Sequence, residues 1–419
     1  MPEYLSPGVY VEEIPSGQAP IASVSTTIAG FIGQVLLEAP VKDKNGVVEN
    51  KAIKDLMPEQ PGAFEQDDNG NDKKDDKGNK IPKRFELAPL NEAQLITAWA
   101  RFTEKFGGFQ PHNKTLAHAV YGFFNNGGNR CWVVRVEDVT DPGTVTTGGL
   151  EKFEKIDEIT MVLVPGSQDT NIQNAVIDHC RRMGDRFAIL DGQQKPAQFT
   201  QENIQGGTKT SDYAALYFPW IKVYDPVTKK DDYIPPSGHI AGVYALTDIE
   251  RGVHKAPANV VIRGPKEAQF RLSKADQDGL NPKGINVIRQ FDGNVTVWGA
   301  RTLGGDDNTE FKYINVRRLF LMLRESIDEG TQWVVFEPNA KPLWDKIRQN
   351  ITAFLTNIWR SGALFGDTPE QAFFVKCDAE LNPPEVRDLG QVITEIGVAP
   401  VKPAEFVIFR IHQWTGPGS

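Results

Sequence analysis

Cysteine is scarce: three residues in 419, Cys131, Cys180 and Cys377, with no CxxC pair. That excludes the paired-thiol spacings of zinc and redox sites. Each cysteine stands inside an apolar pattern and reads as a buried free thiol. The expectation is a chain made for a reducing cytoplasm. Histidine is nearly as rare. The six, at 112, 118, 179, 239, 254 and 412, include no HExxH or equivalent metal spacing. No GxSxG and no Walker loop occurs, and no GxGxxG follows a strand, so the usual signatures of nucleophilic, phosphate and dinucleotide chemistry are missing. Basic residues are outnumbered, 46 against 55 acidic, for a net charge of −9. A chain-wide acidic balance argues against nucleic acid as a partner, because a duplex needs a basic face. No apolar run approaches a membrane span, and the first thirty residues lack a basic start followed by an apolar core. No direct membrane insertion and no secretory signal are expected.

What is present is ordinary globular composition, 40% hydrophobic and 24% charged, with enough length for two or three domains. Strand-like and helix-like segments mix, which predicts an α/β (mixed α+β) fold. Residues 22–36, ASVSTTIAGFIGQVL, are small and β-branched and predict a strand. Residues 66–80, QDDNGNDKKDDKGNK, hold no apolar residue and predict an exposed loop within a surface insertion over about 38–88. A helix near 91–106 has two readings: a start at Asn91 with Gln94 completing a capping box, or a strand ending at Leu95-Ile96 and a cap at Thr97. Gly107-Gly108 stops it either way. A short helix over 116–124 and a strand over 131–136 follow.

The clearest α/β unit comes next. Residues 159–164, ITMVLV, predict a buried strand. Residues 170–183 put Ile172, Ala175, Val176, Cys180 and Met183 on one helical face, and RFAIL at 186–190 predicts a second strand. Short joins make the pair parallel, with a right-handed crossover. Residues 212–264, rich in aromatics and proline, read as irregular but packed backbone. Helices are predicted over 311–327 and 341–360. In the latter, Leu343, Ile347, Ile351, Phe354, Leu355 and Ile358 recur at spacings of three and four.

Catalytic candidates are few. Asp191 stands just past a strand, where open sheets place ligand-binding groups, and reads as a turn or cap aspartate. Asp67, Asn69 and Asn71 alternate like calcium ligands. Asp72 occupies the position that wants glycine and Gly78 the one that wants glutamate, so the run reads as a solvated loop. His239 in PPSGHIAG reads as a satisfied structural histidine. No catalytic, cofactor-binding or metal residue is assigned, and no cofactor.

The two ends raise a different question. SPGVYVEEIP near the start places Val9, Tyr10 and Val11 in a short strand bounded by Pro7 and Pro15. Proline confines a strand to edges, and turn residues on both sides leave no local hairpin partner. EFVIFRIHQW, residues 405–414, puts Val407, Phe409 and Ile411 on one strand face and Phe406 and Ile408 on the other. Its first half is apolar on both faces and is expected to be buried on both. Strands with unpaired backbone groups are edge liabilities unless they join a sheet, and joining another chain's sheet is β-augmentation. About ten ladder bonds at roughly 0.5–1.5 kcal/mol each could hold such a joint. A head-to-tail joint of this kind does not close and builds helices.

An ordered series of stretches resembles the contractile tail sheath family, which covers contractile phage tails, R-type bacteriocins and extracellular contractile injection systems. It runs from SPGVYVEEI (6–14) and IAGFIG (28–33) through LAHAVYGFFNNGGNRCWVVRV (116–136), DRFAILD (185–191) and YFPWIKVYDP (217–226). PPSGHIAGVYALTDIERGVHKAPAN (235–259), INVRRLF (314–320), WVVFEPN (333–339) and WRSGALFGDTPEQAFFVKCD (359–378) complete it. The insertion at 38–88 is not matched. The resemblance places a strand at Leu95-Ile96, favouring the Thr97 cap. It implies a two-domain sheath fold with extended arms: an N-terminal arm over 1–25, an outer domain over 26–250, an inner, tube-facing domain over 251–404 that the N-terminal arm joins, and a C-terminal arm over 405–419. It further implies a helical homopolymer of hexameric rings around an inner tube protein, with baseplate and terminal cap proteins and sheath paralogues as further partners. Assembly would occur in the bacterial cytoplasm. Contraction, driven by energy stored at assembly, would push the tube through a target envelope. Tube-facing candidates are Lys346, Arg348 and Arg360, on the polar face of the 341–360 helix. Two other classes stay open at this stage: an α/β enzyme with an unrecognised site, and a non-contractile tube or capsid protein.

Overall fold

The computed structural model describes residues 20–42 and 48–410. These fall into two compact units, one of Val24–Leu323 with 400–410, the other of 20–23 with Arg324–Ala399.

The larger unit is built on a nine-stranded sheet. Its strands are β1 (Ala29–Gln34), β2 (Gln94–Ile96), β3 (Cys131–Val136), β4 (Met161–Leu163), β5 (Phe187–Asp191), β6 (Ala214–Phe218), β7 (Val260–Val261), β8 (Ile285–Phe291) and β9 (Asn294–Val297). The order across the sheet is β7-β9-β8-β6-β5-β4-β1-β3-β2. Six adjacent strands, β8-β6-β5-β4-β1-β3, run parallel; β2 and β9 flank them antiparallel, and β7 pairs antiparallel with β9. Parallel strands buried on both faces read as unbroken apolar runs, and the alternating residues serve two cores. Phe31, Val133, Leu163, Ile189 and Tyr217 face one. Ile32, Val134, Val162, Ala188 and Leu216 face the other.

Helices α1 (Trp99–Phe106), α2 (Lys114–Asn125), α3 (Thr170–Met183) and α4 (Ser237–Arg251) cover this sheet, α3 on one face and α2 with α4 on the other. The α3 bounds match the sequence reading. Asp169 caps the start by accepting from the backbone N–H of Asn171 and Ile172, and Gly184, at φ 73°, ends it. Its buried face differs slightly from the expected one: Gln173 and His179 are buried, while Ala175 and Met183 are half-exposed. The strand at Leu95-Ile96 is present, but the α1 cap is Ala98, with no side-chain cap bond, and Asn91 stands at positive φ outside the helix.

The stretch from 212 to 264 is not irregular. It contains β6, the antiparallel pair Ile221–Asp225 and Lys230–Ile234, which Glu267–Ala268 joins from just beyond it, and the fifteen-residue α4. Helix α4 carries Gly238 and Gly242 within SGHIAG, and in the fold these glycines permit close helix packing. A Cβ on Gly238 would lie 2.4 Å from the Ala119 carbonyl oxygen, and one on Gly242 2.5 Å from that of Phe123. Helix propensity yields here to the approach of α2 and α4.

The 38–88 insertion is also more ordered than expected. Glu38–Lys42 pairs with Val48–Ala52, and Glu59–Phe64 with Pro82–Arg84. Its flanks enter the core through Ile53, Met57 and Ala88. Residues 66–80 are exposed almost throughout, as expected. Asp67 Oδ1 accepts from the N–H of Asn69 and Asn71, and Asp75 Oδ1 repeats the arrangement with Lys77 and Asn79. The acidic run thus forms two successive Asx turns.

The smaller unit consists of the C-terminal end of α5 (Ile314–Gly330), the amphipathic α6 (Lys341–Arg360) and an antiparallel pair, β10 (Phe373–Lys376) with β11 (Glu395–Val398). Helix α6 has the sequence-predicted bounds and buries Leu343, Trp344, Ile347, Ile351, Phe354, Leu355 and Ile358. The sequence reading began the inner domain at 251. The change of compact unit falls instead after Leu323, because β7, β8 and β9 complete the large sheet. Among the described residues, no helix is long and apolar enough to cross a membrane.

Candidate functional site

The strand order reverses between β1 and β4, where open α/β sheets place ligands beyond the strand C-termini. A crevice of about 360 Å³ opens there, lined by Gly33, Gln34, Lys114, Gly166, Ser167 and Asp169 among others. Asp191, at the C-terminal end of the nearby β5, is committed elsewhere. Its carboxylate accepts from Gly166 N–H at 2.9 Å, Ser237 N–H at 2.8 Å and Ser237 Oγ at 2.7 Å. It caps the start of α4 from a neighbouring strand. Burial pushes its carboxyl up to about 6. His239 lies in the α2–α4 crossing, where burial drives it down to about 3. It is structural, as read from the sequence, but not satisfied: its Nδ1 has no hydrogen-bond partner. All three cysteines are buried and free. Among the described residues, no group of three or more His, Cys, Asp or Glu is placed to hold a metal ion.

The unpartnered features are apolar segments and backbone edges. Residues 401–410 form no regular secondary structure. Phe406, Val407, Ile408 and Phe409 are 70%, 69%, 77% and 82% exposed. The part of that segment expected to be buried on both faces is therefore neither a strand nor buried within its own subunit, since among the described residues it pairs with no sheet edge. Val9, Tyr10, Val11 and Ile411 lie outside the described residues.

The arm is anchored at its first residue. Glu405 accepts from Arg301 Nε at 2.8 Å, Arg301 Nη2 at 2.9 Å, Tyr313 Oη at 3.0 Å and Asn281 Nδ2 at 2.6 Å. Burial alone would raise its carboxyl. The bonds from Arg301, Asn281 and Tyr313 outweigh burial and hold it below the ordinary glutamate range. A second buried clamp holds residue 26. Arg318 reaches both carboxylate oxygens of Asp248, at 2.9 and 2.6 Å, and the Thr26 carbonyl at 2.8 Å. Thr26 Oγ1 donates to Asp248 at 2.6 Å. The Arg318 and Asp248 side chains are 3% and 2% exposed. Sequence reasoning assigned no role to Glu405, Arg301, Arg318 or Asp248. The only signal was that Asp248 and Arg318 lie in two of the family-like stretches.

In the smaller unit, β10 and β11 pair only with each other among the described residues. A two-stranded sheet is marginal alone, and both outer edges present unpaired backbone groups. The Phe374 ring, half exposed, lies over Gly397 on the opposite strand. Phe336, fully exposed, stands at φ 68°, a conformation aromatic residues rarely adopt. Of the helix candidates, Lys346 and Arg360 fall on one exposed stripe of α6 with Gln349, Ala353 and Asn357. Arg348 lies off that stripe, bonded to Asp345 at 2.7 Å and directed at the Cys377 carbonyl. Two of the three candidates therefore share one exposed face of the helix, near its opposite ends.

Comparison with known proteins places these features in context. The model of the phage tail sheath protein central domain matches residues 138–303, and that of the phage tail sheath C-terminal domain matches 306–413. The tail sheath protein of Vibrio phage KVP40 is 29% identical over 201 residues, 47% of this chain and 29% of that protein. A putative prophage major tail sheath protein of Pseudomonas aeruginosa is 27% identical over 265 residues, 61% of this chain and 65% of its own length. The matched stretch thus spans less than two thirds of either relative. Among solved structures, the helical sheath of the anti-feeding prophage in its contracted state is 30% identical, with a TM-score of 0.71, 98% of this chain and 99% of that one covered. The sheath complex of the extracellular contractile injection system PVC, also contracted, is 28% identical, with a TM-score of 0.71 and 99% of both chains covered.

Proposed function

This chain belongs to the contractile tail sheath family, and from that premise we propose that it is the structural subunit of a contractile sheath. Copies polymerise helically around an inner tube, and contraction drives the tube through a target envelope. The supporting observation is the apolar segment Phe406–Phe409, exposed in the subunit and fixed at its root by Glu405. An exposed, apolar, extended segment needs a sheet to join. The β10–β11 pair offers two unpaired edges of suitable length, so the C-terminal arm of one copy and the N-terminal arm, with Val9, Tyr10 and Val11, of another extend that pair by β-augmentation. Contact runs head to tail and propagates as a helix. The arms keep subunits joined while their bodies rotate and slide between extended and contracted states.

Further partners are the inner tube, the baseplate and a terminal cap. The unit carrying α6 faces the tube, and Lys346 and Arg360 supply its contact, with Arg348 contributing less because Asp345 engages it. Exposed ion pairs at about 0–1 kcal/mol each suit a grip that must release. The particle is a phage tail or a related injection particle assembled in the bacterial cytoplasm.

Deleting 1–14 or 406–419 tests the arms. Each variant should remain a folded monomer by circular dichroism and form no polymer by negative-stain microscopy. Polymers from both would refute the joining of subunits through their arms. Reversing the charges of Lys346 and Arg360 should give polymer without a tube, and normal tube-filled particles would remove these residues from the interface.

A further inference from the structure

The C-terminal arm has one strongly bonded residue at its root and exposed residues beyond it. Each carboxylate oxygen of Glu405 takes two hydrogen bonds: Oε1 from Arg301 Nε and Asn281, Oε2 from Arg301 Nη2 and Tyr313. The paired, charge-assisted contact with a guanidinium fixes orientation as well as position. The receiver is itself immobilised. Arg301 Nη1 donates to Asp306 at 2.8 Å. The Arg301 backbone is held on both sides by the fully buried Asn286 of β8, whose Oδ1 accepts from Arg301 N–H at 2.7 Å and whose Nδ2 donates to its carbonyl at 2.8 Å. The load path runs from arm to Glu405, to Arg301, to a strand of the large sheet. Before Glu405 the chain is loosely held: Asn315 Nδ2 reaches the Val401 carbonyl at 3.4 Å.

We propose that Glu405 is the positioning residue that sets the length and register of the C-terminal arm. The inference rests on the arm reading above and adds to it the point at which the arm begins. With the clamp closed, the free arm starts at residue 406. With it open, the root retreats toward Pro400, and about five residues of slack add up to ~17 Å of reach. A strand that must enter a neighbouring sheet in one register loses preorganisation when its root wanders, and affinity falls with it. Slack also uncouples the movement of one subunit from the pull on the next.

The experiment compares five proteins: wild type, Glu405→Ala, Tyr313→Phe, a variant with two glycines inserted after Glu405, and the deletion of 406–419. Polymerisation threshold is read by sedimentation and microscopy, folding by thermal melting, and root mobility by hydrogen exchange over 400–405. Glu405→Ala should fold, exchange faster over 400–405 by about tenfold or more, and require roughly tenfold more protein to polymerise. The insertion keeps the clamp and the strand's facing but adds slack. It should reproduce the assembly defect with 400–405 still protected, which a merely stabilising contact would not predict. Tyr313→Phe, removing one of the four bonds, should fall between. If Glu405→Ala polymerises at the wild-type threshold, the positioning role is overturned while the arm reading stands. If the deletion polymerises normally, the arm reading itself fails, and the role of Glu405 with it.

Discussion

The Arg318–Asp248–Thr26 clamp is the most demanding test of how the large unit is held together. Asp248→Ala leaves a guanidinium that is 3% exposed without its carboxylate, and breaking a buried pair from one side costs about 3–5 kcal/mol. The Thr26 hydroxyl loses its acceptor at the same time, adding about 1 kcal/mol. At about 2–4 °C per kcal/mol for a unit of this size, the melting temperature should fall by roughly 10–20 °C. The cost arises from an unpaired buried charge and not from the loss of a favourable bond. Replacing both partners with apolar residues of similar volume, Arg318→Met with Asp248→Leu, should therefore recover most of it, to within about 1–2 kcal/mol of wild type. Calorimetry of wild type, Arg318→Met, Asp248→Leu and the double variant gives the coupling energy directly. Tyr244, whose ring Arg318 overlies at 4.8 Å and whose hydroxyl meets that of Tyr217 at 2.8 Å, should keep its packing in the double variant. Two results would defeat this reasoning: an Asp248→Ala protein within about 1 kcal/mol of wild type, or a double variant no more stable than the single one.

Asp191 should leave a pH signature. Its folded value, raised to about 6, lies above that of an unfolded aspartate, so its contribution is complete below pH ~4 and is lost as pH rises through 6. Wild type should lose about 2–3 kcal/mol relative to Asp191→Asn between pH 4 and 7. Urea midpoints of the two proteins across that range measure it, and parallel curves would show that the carboxyl titrates normally. Gly242→Ala should destabilise the α2–α4 crossing by about 1–3 kcal/mol despite alanine's better helix propensity, since its methyl would lie 2.5 Å from a backbone oxygen. A neutral or stabilising result in chemical denaturation would mean the helices can separate without cost.

Local chemistry determined much of this protein without help. The period of α6 and the cap-and-glycine bounds of α3 are written in neighbouring residues, and both helices form where the pattern puts them. The apolar run of β3 likewise specifies a strand buried on both faces. Residues 406–409 are apolar in sequence and exposed in the subunit. Tertiary structure decided the rest, because the deciding contacts are distant in sequence. Gly238 and Gly242 are poor helix formers by propensity, and their place in α4 follows from α2 lying against them. Arg348 looks like its neighbours on α6 until Asp345 and the Cys377 carbonyl take it up. Glu405 meets Arg301 across 104 positions, and Thr26 meets Asp248 across 222. No periodicity spans such separations, since only the assembled sheet brings the strand ends and helix termini that carry these side chains together.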